Sequence, residues 1–215
     1  MIATQMAQYF EMLQDKSSSS YFTPAEISLF LQRASIEFVK EHLPTDDSRL
    51  NIELSQDTLS NLSPLVFKLP QITMPSGGVV TKQSVQTALT GISAQGILWR
   101  PLSIGWELAG SKRPVKFARH NDNWAFYPNF FKRPSNEKPI FIETASDYII
   151  EPATANAKLT FTVLKYPALI DVVAPVNSDL PDHTHDKIIA IALELAGVSS
   201  RDVALAQLLQ LKNNA

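Results

Sequence analysis

Apolar residues in the first forty positions recur with a helical period. Ile2, Met6, Tyr9, Phe10 and Leu13 predict an amphipathic helix over residues 2–14, ended by the tract Ser17–Ser20. A second start signal follows at "TPAE". Thr23 is placed to cap, Pro24 stands at the first helical position, and Glu26 closes a capping box. Ile27, Phe30, Leu31, Ala34 and Phe38 continue at helical spacing to about Lys40, before Pro44 and "TDDS". After Pro175 the helical period returns. It predicts helices over residues 182–196 and 200–212, broken at "GVSS", with Ser199 or Ser200 as the second N-cap.

Between Leu50 and Ala174 the period changes to two. "KLTFTVLKY" alternates, with Leu159, Phe161 and Val163 on one face and Lys158, Thr160 and Thr162 on the other. "KPIFIET" and "SDYIIEP" are further strand candidates, and "ATANA" is expected to join the latter to "KLTFTVLKY" as a hairpin. Gly77-Gly78 reads as a turn before "VVTK". Ten prolines recur through this region, which predicts short, twisted or edge strands because proline donates nothing to a ladder. The expected fold class is α+β: helices from both termini packed together, with a central Pro-rich antiparallel β region. The corresponding divisions are a helical hairpin over 1–45, a β-rich region with long loops over 46–175, and a helical pair over 176–215 packing on the first.

Composition narrows the function. The 215 residues have a mean hydropathy of −0.04, and Lys, Asp or Pro interrupts every apolar run, so no membrane partner is expected. The start "MIATQMAQYFEML" lacks a basic stretch and a cleavage site, so no secretory leader is expected. Cysteine is absent, which removes disulfides, thiolate nucleophiles and cysteine-based zinc sites. The net charge of −2 is unevenly spread. Residues 111–138 hold seven Lys/Arg against Asp122 and Glu137, a net of +5, leaving −7 on the remainder.

The candidate chemistry is sparse. "DLPDHTHDKII" places His183 and His185 between Asp182 and Asp186, but at 100° per residue the two rings diverge by about 200° on a helix. His185 falls on the apolar arc of Ile188, Ile189, Ala192, Leu195 and Ala196, and His183 opposite it. The two acids suit the positive end of a helix dipole. No Gly-x-Ser-x-Gly elbow and no phosphate-binding glycine loop is present. Asp46 and Asp47 read as turn residues. Glu107, Glu143 and Asp147 fall among strands, where spacing does not bring any two together. Catalytic, cofactor-binding and metal-binding residues are therefore not expected.

A more distinctive stretch is "RHNDNWAFYPNFFKRPSNEKPIF". It interleaves Trp124, Phe126, Tyr127, Phe130 and Phe131 with basic residues, a pattern shared by single-strand nucleic acid platforms and subunit interfaces. Candidate partner contacts in this stretch and the basic segment just before it are Arg113, Lys116, Arg119, Trp124, Phe130, Phe131, Lys132 and Arg133. His185 joins them, as do Leu205, Leu208 and Leu209, whose helix carries an apolar arc wide enough to need burial on more than one side.

The order of these stretches resembles a known family. "TPAEISLFLQRASIEFVKEH", a Pro-rich β-middle, "FFKRPSNEKPIFIE", "YIIEP", "LTFTVLKYPALID" and "LPDHTHDKIIAIALELAGVSS" are similar to ring or adaptor-type virion proteins of tailed bacteriophages, especially crAss-like phages of Bacteroidetes. The resemblance implies a structural protein that forms a closed ring, commonly of twelve copies, below the portal. It implies the portal and adjacent ring or tail proteins as partners, and genomic DNA passing through the channel without sequence-specific binding. It also implies a place in the virion neck or tail after assembly in the host cytoplasm. Stopper, tail-completion and tail-barrel subunits, or a nucleic-acid-binding module using 111–138, are the alternatives.

Overall fold

The computed structural model describes residues 1–15, 22–43, 60–94, 96–118 and 133–199. The protein is α+β and divides into two compact units. One comprises residues 1–43, 55–65 and 167–215, and the other residues 44–54 and 66–166.

The first unit is helical. Helix α1 spans Ala3–Asp15 and α2 spans Pro24–Glu41. The capping box forms as the sequence predicts. Thr23 Oγ1 accepts from the Glu26 amide and the Glu26 carboxylate accepts from the Thr23 amide, satisfying two donors the first turn leaves unpaired. The C-terminal helix begins with a 3-10 turn over Asp182–Thr184 and continues as α4 from His185 to Ser199. It runs through Gly197, so the break expected at "GVSS" does not occur before residue 200. Met6 and Phe10 from α1, Leu31 and Phe38 from α2, and Ile188 and Ala192 from α4 are fully buried. Phe10 stacks on Phe30 at 6.3 Å, and Phe30 meets Phe22 edge-on at 5.1 Å. Ile2 and Tyr9, assigned by period to the buried face of α1, are instead exposed along with Met12.

The second unit is built on two sheets. Its strands are β1 Val66–Lys68, β2 Ile72–Thr73, β3 Val79–Thr81, β4 Leu98–Leu108, β5 Ser111–Pro114, β6 Lys116–Phe117, β7 Ile140–Glu143, β8 Asp147–Glu151 and β9 Lys158–Lys165. One sheet runs β1-β9-β4-β5, with β2 also on β9, and the other runs β3-β8-β7-β6. Leu159, Phe161 and Val163 face inward from β9 as the alternation predicts, and pack with Trp106, Tyr148 and Phe141.

Three expectations change. First, β8 and β9 do not form a hairpin, because β8 is already paired on both edges and Pro152 carries the chain out of its sheet. Second, β6 and β7 are parallel, joined across residues 118–139, a connection long enough to return the chain in the same direction. Third, a helix, α3, spans Lys82–Thr90 inside the β region. Its signals are local: Thr81 caps the Ser84 amide, and Val85 and Leu89 bury one face. Pro101 lies within the eleven-residue β4, where the register to β9 shifts between Pro101 and Ser103, so a bulge absorbs its missing donor.

Candidate functional site

The histidine-bearing stretch is a helix start. His185 is 2% exposed, and its Nε2–H donates to the Leu180 carbonyl at 3.0 Å. Its Nδ1 accepts from the Met1 amine at 2.9 Å, and that amine also pairs with Asp182. Both ring nitrogens are therefore used inside the unit by a neutral imidazole. His183 is exposed, and its Nε2 meets Asn61 Oδ1 at 2.7 Å. The Asn61 amide nitrogen lies 3.4 Å from His42 Nε2. Among the described residues no three metal-ligating side chains gather.

Burial, then the Met1 ammonium, hold the His185 pKa below its ordinary 6.5, outweighing the Leu180 carbonyl and the Asp182 and Asp186 charges. The unfolded chain therefore binds a proton near pH 6.5 that the folded chain refuses. Stability is expected to fall as pH drops from 7.5 through 6.5 toward the lower folded pKa. Asp182, lowered chiefly by its bond to the Met1 amine, adds a loss only below its ordinary 3.8. Urea unfolding at pH 7.5 and pH 5.5 checks this, with His185→Gln expected to flatten the difference. Equal pH dependence in both proteins would refute the assignment.

A turn braced against α2 presents apolar side chains. Asp171 and Val176 exchange backbone hydrogen bonds at 3.1 and 2.9 Å, and the Asp171 carboxylate accepts from the Val173 and Ala174 amides. The Val172 amide donates to Ser28 Oγ, which itself donates to the Pro24 carbonyl, and Gln32 Nε2 donates to the Ile170 carbonyl. The turn thus has a fixed conformation, yet Leu169 is 57% and Val173 68% exposed. Sequence reasoning missed this feature; the run "LIDVVAPV", with an aspartate two residues before its apolar tip, was its signal.

On the β unit, all of β5 is exposed, including Arg113; Lys116 in β6 and Arg133 are exposed as well. Arg119, Trp124, Phe130, Phe131, Lys132, Leu205, Leu208 and Leu209 lie outside the described residues. Glu107 belongs to the sheet containing β9, and Glu143 and Asp147 to the other, with Glu143 paired to Lys82 at 2.6 Å. Trp99 and Tyr166 stack face to face at 4.4 Å at one end of the β4-β9 ladder.

The outer face of the β9 sheet carries a trough of about 510 Å³. Cross-strand register orders this sheet face in rows: Ser103, Thr162 and Lys68; then Pro114, Gly105 and Thr160; then Lys112, Glu107 and Lys158, all of which line the trough except Pro114 and Lys158. The Leu69–Gln71 segment forms one wall, and Gln71 Nε2 donates to the Glu107 carboxylate at 3.1 Å. Lys112 Nζ lies 3.8 Å from the same carboxylate. Comparison of the chain with protein-family models and with curated protein sequences returns no match. Among the described residues no helix is long and apolar enough to cross a membrane.

Proposed function

We propose that this chain is a structural subunit that closes into an oligomeric ring in the portal-to-tail neck of a tailed bacteriophage virion, continuing the DNA channel. The supporting observation is that one chain carries two compact units of opposite charge. Among the described residues the helical unit has three Lys/Arg against ten Asp/Glu, and the β unit ten against five. A ring needs unlike surfaces on each copy, so that one patch meets a different patch of the next and rotation closes the circle. An acidic unit and a basic unit on every copy meet that requirement. The braced turn at Asp171–Val176 adds the apolar contact that charge alone does not supply, since exposed apolar side chains on a rigid support are typical of docking surfaces.

Mass photometry and negative-stain imaging of the purified chain, alone and with its portal, test the reading, and annular oligomers are expected. Val173→Asp buries a charge in the docked state and is expected to weaken assembly by tenfold or more, roughly the effect of an unpaired interface charge. A chain that stays monomeric alone and ignores the portal would defeat the proposal.

A further inference from the structure

We infer that the trough on the outer face of the β9 sheet receives the acidic helical unit of a second copy of this chain. The inference rests on the ring reading and names one of its contacting surfaces.

The trough has the features of a receptor for carboxylates. Lys68 closes one row and Lys112 another, so the trough lining holds two ammonium groups against the single carboxylate of Glu107, with Lys158 beside Glu107 on the same sheet face. Glu107 is already engaged by Gln71 and Lys112. Among the described residues no carboxylate pairs with Lys68. Between the cations the floor is made of hydroxyls, Ser103, Thr160 and Thr162, each able to donate to an oxyanion. Gly105 stands at the centre of this floor. A Cβ there would only touch Thr160 at 3.7–3.8 Å, so its effect is to leave the middle of the floor low rather than to relieve strain.

The matching surface lies on the acidic unit. Asp182, Asp186, Ala190 and Glu194 recur every fourth residue through the 3-10 turn and α4, and all four are exposed. They form one row along the outer side of the helix. Asp186 and Glu194 stand about 12 Å apart at 1.5 Å per residue, with small Ala190 between them. Lys187 sits off this row and is occupied by Glu41 at 3.1 Å. A trough with more cations than carboxylates and a row whose charged members are all acids, with Asp182 held by the Met1 amine and Asp186 and Glu194 facing outward, belong to different units of the same chain, so pairing them between copies gives a head-to-tail contact that repeats.

Charge exchange tests the pairing. Lys68→Glu with Lys112→Glu, and separately Asp186→Lys with Glu194→Lys, are each expected to weaken self-association about tenfold or more at low salt, as like charges come to face each other. All four positions are exposed or outward-facing, and circular dichroism and thermal unfolding establish that both variants fold. An equimolar mixture of the two variants is expected to restore assembly, because each reversed trough then meets a reversed row. Assembly of either variant at wild-type strength would overturn the inference and leave the ring reading standing. Loss in both without restoration on mixing would overturn the pairing of these two surfaces. If trough reversal instead lowered only retention on single-stranded DNA, the trough would be a nucleic acid site and the inference would fail. A wild-type chain that is monomeric alone and with its portal would remove the ring reading and this inference together.

Discussion

Phe161→Ala is expected to destabilise the β unit by about 3–5 kcal/mol, the range for deleting a buried aromatic side chain. Phe161 is fully buried and lies midway along β9, opposite Ile104 of β4, with its carbonyl accepting from the Leu69 amide at 2.8 Å. Its ring lies 5.8 Å from that of Tyr148, which stands in the other sheet. Tyr148 in turn meets Phe141 edge-on at 6.4 Å, and Phe141 meets Phe117 at 5.3 Å. Phe161 is thus the link through which one sheet's aromatic row packs on the other. Removing it leaves a cavity at that seam and forfeits an aromatic pairing worth about a further 1 kcal/mol within the same total. Against a domain stability of roughly 5–15 kcal/mol this is a large share, and urea unfolding should show it as a lowered midpoint. Phe161→Leu should recover most of the loss, and Phe67→Ala, at a half-buried position, should cost less. A Phe161→Ala protein with a wild-type midpoint would mean that the seam is not where the unit's stability resides.

Gly78→Ala should be nearly as damaging, for a different reason. Gly78 has φ +69°, and a Cβ there would come within 2.5 Å of the Ile150 carbonyl oxygen and 2.8 Å of the Ala153 Cβ. The left-handed conformation costs a residue with a Cβ about 1–2 kcal/mol, and forcing a methyl into filled space adds roughly 1–3 kcal/mol. The backbone has no easy way to give, because Gly78 is held by its amide to the Pro75 carbonyl and by its carbonyl to the Ile150 amide. Gly110 supplies the control. It also has positive φ, at +82°, but nothing lies within 4 Å of its would-be Cβ, so Gly110→Ala should carry only the conformational cost of about 1–2 kcal/mol. Equal melting points for the two variants would show that steric approach at Gly78 contributes nothing.

Local signals in the sequence read well where a segment's own residues decide its structure. "TPAE" specified its capping box because both partners lie within one turn. "KLTFTVLKY" specified which side of β9 is buried because side chains alternate strictly along a strand. The divergence of His183 and His185 followed from helical angle alone, and the structure places one ring outside and the other inside. The same local signals exist for α3 in its Thr81 cap and Val85–Leu89 spacing, but the surrounding prolines and β-branched residues carry the stronger strand pattern.

Partners distant in sequence were a different matter. Nothing within "SDYIIEPATANAKLTFTVLKY" reveals that its two strands belong to separate sheets, because the edges of β8 are filled by β3 and β7. The trough was equally hidden, since Lys68, Gly105, Lys112 and Thr160 share a face only through the β1-β9-β4-β5 order. The braced turn needed Ser28 and Gln32 from a helix some 140 residues away. The sequence by itself determined the class of the fold, the starts of α1, α2 and α4, the inward face of its central strand and the excess of basic residues at 111–138. The tertiary structure alone decided which strands pair, which acidic and basic residues segregate into which unit, and which surfaces they form. Periodicity and capping are properties of neighbours along the chain, whereas pairing and surface charge depend on which distant segments close upon one another.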